Sequence, residues 1–185
     1  MKNLNLPNLL TFGRLAVVPI FVYCLVGDHP GAALWLFVGA GVTDVIDGLV
    51  ARLFRQETTL GAWLDPLADK LLVFTAFVML TTTGESRFPL WFTILVLGRD
   101  FFIATGIGAL RLLRRRIVID PARLSKYATL FQYLTLSVML LYRSSGSPPG
   151  MTPCLQAVMV VTLVLALVSI GQYFWRGLQM LRRSG

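Results

Sequence analysis

The sequence predicts an all-α fold, an integral membrane bundle of six transmembrane helices with a polar cavity open to the cytoplasm. Three observations carry that expectation. Apolar residues make up 56% of the 185-residue chain and charged residues only 14%, well below the roughly 25% of soluble domains. Six apolar segments approach the about 20 residues that cross a bilayer. Lysine and arginine gather at the ends of those segments, and they do so mostly on one side, the bias that orients a membrane protein. The net charge of +8 follows from that bias. It does not cover one solvated face, so no nucleic-acid partner is expected.

The first segment runs from Pro7 to Val26 and ends in the turn "GDHPG", where Gly and Pro break the helix. The second covers Ala32 to Phe54 and the third Gly61 to Thr82. "TTGESR" separates the third from the fourth, Phe88 to Leu113. A basic loop, "RRRIVIDPAR", leads to the fifth, Leu124 to Tyr142, which "RSSGSPPG" closes. The sixth covers Thr152 to Trp175. The chain reads as a single membrane domain, 1–185, and no cleavable signal is expected at its start.

Six crossings put both termini on one side. With that side cytoplasmic, Lys2, Arg14, Arg52, Arg55, Lys70, the cluster from Arg111 to Arg123, Lys126, Arg176, Arg182 and Arg183 face inward. Only Arg87 and Arg143 fall in the opposite loops, and Arg99 lies within a helix. Trp35 and Trp91 sit near outer ends, Trp63 and Trp175 near inner ends, as aromatic belts do. Cys24 and Cys154 have no metal-ligand spacing and read as small hydrophobes. His29, the one histidine, lies in a polar turn, so histidine acid–base chemistry is not expected.

The chemistry is concentrated in "TDVIDGLVARLFRQETTLGAWLDPLADK", Thr43 to Lys70. Ionisable groups inside a membrane helix are expensive and mark function. Asp44 and Asp47 are spaced i, i+3, and Asp65 and Asp69 i, i+4, so each pair shares a helix face. Asp44, Asp47, Gly48, Ala51 and Arg52 span an arc of about 140°. Four clustered carboxylates repel unless they are protonated or share cations. Oxygen-only ligands suit Mg²⁺ or Mn²⁺. Small Gly48 and Ala51 leave room for a ligand against the helix, and Arg52 is placed to hold a phosphate. Metal-assisted chemistry on a phosphorylated group at the membrane surface is the expectation. Arg99 and Asp100, adjacent and about 100° apart on a helix, are expected to need separate partners, either to buttress the site or to hold helices together. The "RLLRRR" run reads as a topology anchor, and "GIGA" (Gly106 to Ala109) as helix packing.

The pattern Asp44-x2-Asp47-Gly48-x2-Ala51-Arg52-x8-Gly61-x3-Asp65-x3-Asp69 resembles the signature of the CDP-alcohol phosphatidyltransferases at every defined position. "LPNLLTFGR", "GRD" and "SKYATLFQ" look like further landmarks of that family. The resemblance implies a six-helix enzyme of a bacterial-type inner or plasma membrane, working as a homodimer. It implies transfer of a phosphatidyl group from CDP-diacylglycerol to an alcohol, with release of CMP. By position, Asp44, Asp47, Asp65 and Asp69 would surround two divalent cations, Mg²⁺ or Mn²⁺, and Asp69 would also be the general base. Gly48, Ala51, Arg52 and Gly61 would line the CDP site. Asn8, Thr11 and Arg14 share a broad face at i, i+3 and i+6, and the landmark there implies a place for Asn8 and Thr11 beside the nucleotide.

The acceptor is less directly legible. "GRD" resembles family members that use phosphatidylglycerol, whereas "LPNLLTFGR" and "SIGQYF" look like the glycerol 3-phosphate transferases. Glycerol 3-phosphate is the expected acceptor, with Arg111 and Lys126 as its phosphate partners; Lys126 also reads as a snorkelling anchor. Outside this class, an intramembrane prenyltransferase uses paired aspartates but lacks the Gly-x2-Ala-Arg tail. An ion transporter with buried acids needs no Arg52 on the acid face.

Overall fold

The computed structural model describes residues 6–54, 61–85, 87–112 and 123–182; the side chains of 6–12, 45–67, 69, 107–112, 123 and 176–182 lie outside that description. The described residues form six α-helices and no strand. These are α1 (Leu6–Val26), α2 (Pro30–Phe54), α3 (Gly61–Thr82), α4 (Leu90–Leu112), α5 (Arg123–Ser144) and α6 (Thr152–Arg182), with a single 3₁₀ turn, Pro149–Met151, before α6. Except at the end of α6, each boundary falls within about two residues of its apolar segment, because Gly, Pro and polar clusters stop the helices where the hydrophobic run stops. The all-α expectation holds.

Helix length is compatible with a bilayer throughout. The shortest helix, α1, has 21 residues, or about 31 Å at 1.5 Å per residue. Apolarity is more selective. Among the described residues, one stretch, Pro149–Trp175, is both long and apolar enough to cross a membrane, with a mean hydropathy of 2.4. Gly13–Val26 and Lys70–Thr82 are shorter apolar stretches. Large apolar side chains are nevertheless exposed on all six helices, among them Tyr23, Trp35, Phe74, Ile94, Leu130 and Leu167. Large apolar side chains exposed on every helix point to apolar surroundings rather than water.

Contacts divide the chain into two compact units, Met1–Phe88 with Leu136–Pro149, and Pro89–Thr135 with Gly150–Gly185. In the first, α1 packs against α2 and α3. Phe21 of α1 and Phe37 of α2 are both buried, their rings 6.1 Å apart. Ala33, Ala40 and Ala76 are buried as well, and small side chains let membrane helices approach closely. In the second unit α4 packs against α6. There the Thr135 and Thr162 hydroxyls share a hydrogen bond of 2.7 Å, and Thr162 also donates to the Phe131 carbonyl at 3.1 Å.

The first unit is closed at the end the sequence assigns to the outside. Helix α1 finishes in a Schellman motif: the His29 N–H donates to the Cys24 carbonyl and the Asp28 N–H to the Leu25 carbonyl, with Asp28 left-handed at φ 53°. Helix α5 ends the same way around Gly146, at φ 75°, through Ser147 to Tyr142 and Gly146 to Arg143. Both motifs satisfy carbonyls that a helix end otherwise orphans. Arg143 was expected in the outer loop. It lies instead in the last turn of α5 and is only 8% exposed. Its Nη1 donates to the Thr83 carbonyl at 3.3 Å, and its Nη2 lies 3.7 Å from the Asp28 carboxylate. The guanidinium reaches both by lying across Gly84, where any Cβ would overlap it.

Gly84 and Gly146 therefore separate two effects. Both have left-handed backbones, at φ 76° and 75°, but nothing stands within 4 Å of a Cβ built on Gly146. Gly146→Ala is expected to cost about 1 kcal/mol, the backbone penalty alone. Gly84→Ala must also push Arg143 off its partners and is expected to cost about 2–3 kcal/mol. Thermal unfolding in detergent reads the difference. Equal shifts for the two variants would mean that the Arg143 contacts carry no stability.

Candidate functional site

Helix α2 runs unbroken from Pro30 to Phe54 and α3 from Gly61 to Thr82. Each aspartate pair therefore lies on a continuous helix, and its i, i+3 or i, i+4 spacing does put both members on one face. Asp44 is the motif aspartate whose side chain is among the described residues. The side chains of Asp47, Ala51, Arg52, Asp65 and Asp69, and the surroundings of Gly48 and Gly61, lie outside them. So do the side chains of Asn8, Thr11 and Arg111. Among the described residues no group of three or more metal-ligating side chains comes together.

Asp44 is held by a cation. Arg14, on α1, places Nη2 2.8 Å from the Asp44 Oδ1. The arginine side chain is 5% exposed and the aspartate 38%. An ion pair this asymmetric has a direction. Arg14 is fixed in the interface between α1 and α2, while the carboxylate it grips remains open on another side. A bond to one oxygen restricts the rotamers of the whole group. Sequence reading placed Arg14 on one face with Asn8 and Thr11 but not opposite Asp44. The usable signal was that both charges fall in the same half of neighbouring helices, where neither can face lipid.

A second polar cluster lies in the other unit. Arg99, in the middle of α4, is 3% exposed. Its Nε and Nη2 donate to the Ser169 hydroxyl of α6 at 3.3 and 3.0 Å. Nη2 also reaches the Ser125 hydroxyl and carbonyl of α5 at 2.8 and 3.4 Å. Nη1 donates to Asp100 Oδ1 at 2.5 Å. The Asp100 Oδ2 accepts from Gln132 Nε2 of α5 at 3.3 Å. The expectation that Arg99 and Asp100 need separate partners is corrected here. A guanidinium on a long stem can fold back across the 100° that separates neighbours, and Asp100 is its ionic partner. Lys126, next to Ser125 on the first turns of α5, is exposed.

A family profile described as CDP-alcohol phosphatidyltransferase matches residues 4–170. The chain is 32% identical over 179 residues to a CDP-diacylglycerol–glycerol-3-phosphate 3-phosphatidyltransferase of Aquifex aeolicus, covering 96% of this chain and 98% of the relative. It is 32% identical to the protein of the same name in Bacillus subtilis, over 97% and 98% of the two chains. With a human cardiolipin synthase (CMP-forming) it shares 36% identity over 124 residues, 66% of this chain and 40% of the relative.

Removing the Arg99 guanidinium tests how far unit two depends on it. Arg99→Met leaves Asp100 without its cation and two seryl hydroxyls without their donor, and is expected to cost about 3–5 kcal/mol. Ser169→Ala keeps the Ser125 and Asp100 bonds and is expected to cost about 1–2 kcal/mol. Denaturation midpoints in detergent rank the two; a milder loss in Arg99→Met than in Ser169→Ala would contradict the brace.

Proposed function

The chain belongs to the CDP-alcohol phosphatidyltransferase family, and from that premise we propose that it transfers a phosphatidyl group from CDP-diacylglycerol to glycerol 3-phosphate and releases CMP. One observation carries the choice of acceptor. The likeness to proteins named for glycerol 3-phosphate runs the length of both chains, whereas the likeness to the human cardiolipin synthase covers part of each. Phosphatidylglycerol as acceptor is the second reading, favoured by Gly98-Arg99-Asp100.

The donor set fits hard divalent cations. Asp44, Asp47, Asp65 and Asp69 offer only carboxylate oxygen, on helical faces that keep each pair together, and Asp44 is paired with Arg14 at 2.8 Å. These four residues would hold two Mg²⁺ or Mn²⁺ ions, which when bound neutralise charge on the pyrophosphate. Gly48, Ala51 and Gly61 leave space for the nucleotide, Arg52 grips phosphate oxygens, and Asn8 and Thr11 supply polar contacts. In the reaction, the acceptor's primary hydroxyl oxygen bonds to the lipid-side phosphorus. The phosphorus–oxygen bond to CMP breaks, its electron pair leaves on CMP, and the hydroxyl proton passes to Asp69. Arg111 and Lys126 hold the acceptor's phosphate, as a fork and a point charge.

The finer architecture belongs to the same proposal: six spans, both termini cytoplasmic, a cavity open to the cytoplasm, and a homodimer. The exposed apolar side chains on all six helices support the membrane setting.

The decisive assay offers purified protein CDP-diacylglycerol with a panel of alcohols and identifies the lipid formed. Phosphatidylglycerophosphate is expected; cardiolipin made from phosphatidylglycerol, with glycerol 3-phosphate ignored, would replace the reading with its runner-up. Asp44→Asn, Asp47→Asn, Asp65→Asn and Asp69→Asn are each expected to lower turnover at least 100-fold while the protein still inserts. Asp69→Asn should retain the most metal and CDP-lipid binding, and near-native turnover in it would remove Asp69 as the base. Neutralising Arg111 or Lys126 is expected to raise KM for glycerol 3-phosphate about tenfold with little change for the CDP-lipid. Steady-state kinetics in both substrates separates these outcomes.

A further inference from the structure

We propose that Arg14 is a positioning residue that sets metal selectivity: by holding Oδ1 of Asp44 it makes that acid a one-oxygen ligand, which favours Mg²⁺ or Mn²⁺ over Ca²⁺. The inference rests on the reading of the motif aspartates as cation ligands.

The pair is built into the packing of two helices of the first unit. The short turn between α1 and α2 makes them antiparallel neighbours. Beside that turn Leu25 and Ala33 are both buried, and one turn further on Phe21 meets Phe37, their rings 6.1 Å apart. Arg14 stands seven residues before Phe21, and Asp44 seven residues after Phe37. Seven residues are close to two turns, about 10 Å of helix. One register of apolar contacts therefore carries Arg14 to Asp44. The guanidinium is 5% exposed, with Nη2 2.8 Å from Oδ1. Its position follows from that register rather than from a ligand.

The Asp44 side chain is 38% exposed, so the carboxylate remains open on another side. A carboxylate grips a cation through one oxygen or through both. A cation bridging both oxygens of Asp44 would meet the guanidinium charge beside Oδ1 at close range. Ligation through Oδ2, the oxygen Arg14 does not hold, keeps the two positive charges further apart.

The size of the ion decides the consequence. Ca²⁺ gathers about six to eight oxygens in a loose shell and readily takes a carboxylate by both of its oxygens. Mg²⁺ is smaller and demands a near-octahedral shell, which single oxygens and water satisfy, and Mn²⁺ shares the octahedral oxygen shell. Denying one chelating oxygen therefore costs Ca²⁺ more. Repulsion by the guanidinium acts on all three divalent ions nearly alike, so it shifts their common affinity and largely cancels in a ratio.

The test uses full-length protein in detergent, stripped of divalent ions and supplied with CDP-diacylglycerol. Mn²⁺ binding is followed by its electron paramagnetic resonance, and Ca²⁺ is then added to displace it. The readout is the ratio of the Ca²⁺ to the Mn²⁺ dissociation constant. In Arg14→Met that ratio is expected to fall about tenfold or more, the scale on which partners of a metal ligand act. Arg14→Lys keeps a cation on a long stem and is expected to hold the ratio within about threefold of wild type. Arg14→Gln, whose neutral amide stops short of Oδ1, is expected to follow the methionine variant and decides the matter if that variant does not fold. In an Asp44→Ala background Arg14→Met is expected to leave the ratio unchanged, because Arg14 acts through Asp44. A merely structural Arg14 would lower the melting temperature and leave the ratio intact, and that result overturns the inference. So does a fall in the ratio that persists without Asp44. Wild-type protein that binds no Mn²⁺ would remove the cation reading of the motif and this inference with it, a result distinct from binding with an unmoved ratio.

Discussion

A charge inside an apolar helix must find a partner, and each unit is organised around meeting that demand. Arg14 meets it through Asp44, Arg99 through Asp100 and two serines, and Arg143 through a backbone carbonyl and Asp28. All three guanidiniums are buried, so each recruits groups from elements distant in sequence. The hydrophobic effect gives little preference for one helix arrangement over another when lipid is as apolar as the core. Polar contacts of this kind, together with close packing at Ala33, Ala40 and Ala76, are what make a helix arrangement specific.

The three arginines do this in different ways. Arg143 closes an end: it ties the α1–α2 turn to the end of α3, and it needs a glycine beneath it to reach both. Arg99 stitches the middle of the second unit, three helices through one planar group. A lysine, with a single ammonium, could not serve Ser125, Ser169 and Asp100 from fixed directions. Arg14 differs because its partner is partly open. It is the buried half of a pair whose exposed half belongs to the aspartate motif. The same physical demand therefore yields a lock in one place and an oriented, partly open carboxylate in another.

This distinction bears on catalysis in the family to which the chain belongs. Acids that bind cations must stay ionised before the cation arrives, and in apolar surroundings an isolated carboxylate tends to take up a proton. At Asp44 the buried Arg14 guanidinium places an opposite charge 2.8 Å from the carboxylate. At Asp100 the Arg99 guanidinium and the Gln132 amide occupy one carboxylate oxygen each.

By itself the sequence determined the helices, because hydrophobic runs about as long as a bilayer is thick, punctuated by Gly and Pro, admit little else; all six segments became helices at nearly the expected ends, α6 alone running on well past its segment. It also determined the family and the residues of the motif, since four aspartates at i, i+3 and i, i+4 with Gly48, Ala51 and Arg52 between them form a long, specific pattern. Sequence was silent on pairing. Helical periodicity says which residues share a face, but not which face of another helix meets it. Arg14 and Asp44 stand 30 positions apart in the chain, and Arg99 and Ser169 are 70 apart. The neighbours Arg99 and Asp100 looked divergent because periodicity describes where Cβ atoms point, whereas a guanidinium sits several bonds further out and can fold back. Only tertiary structure decided these partnerships, since a long side chain settles on whatever polar group the packing of helices brings within its reach.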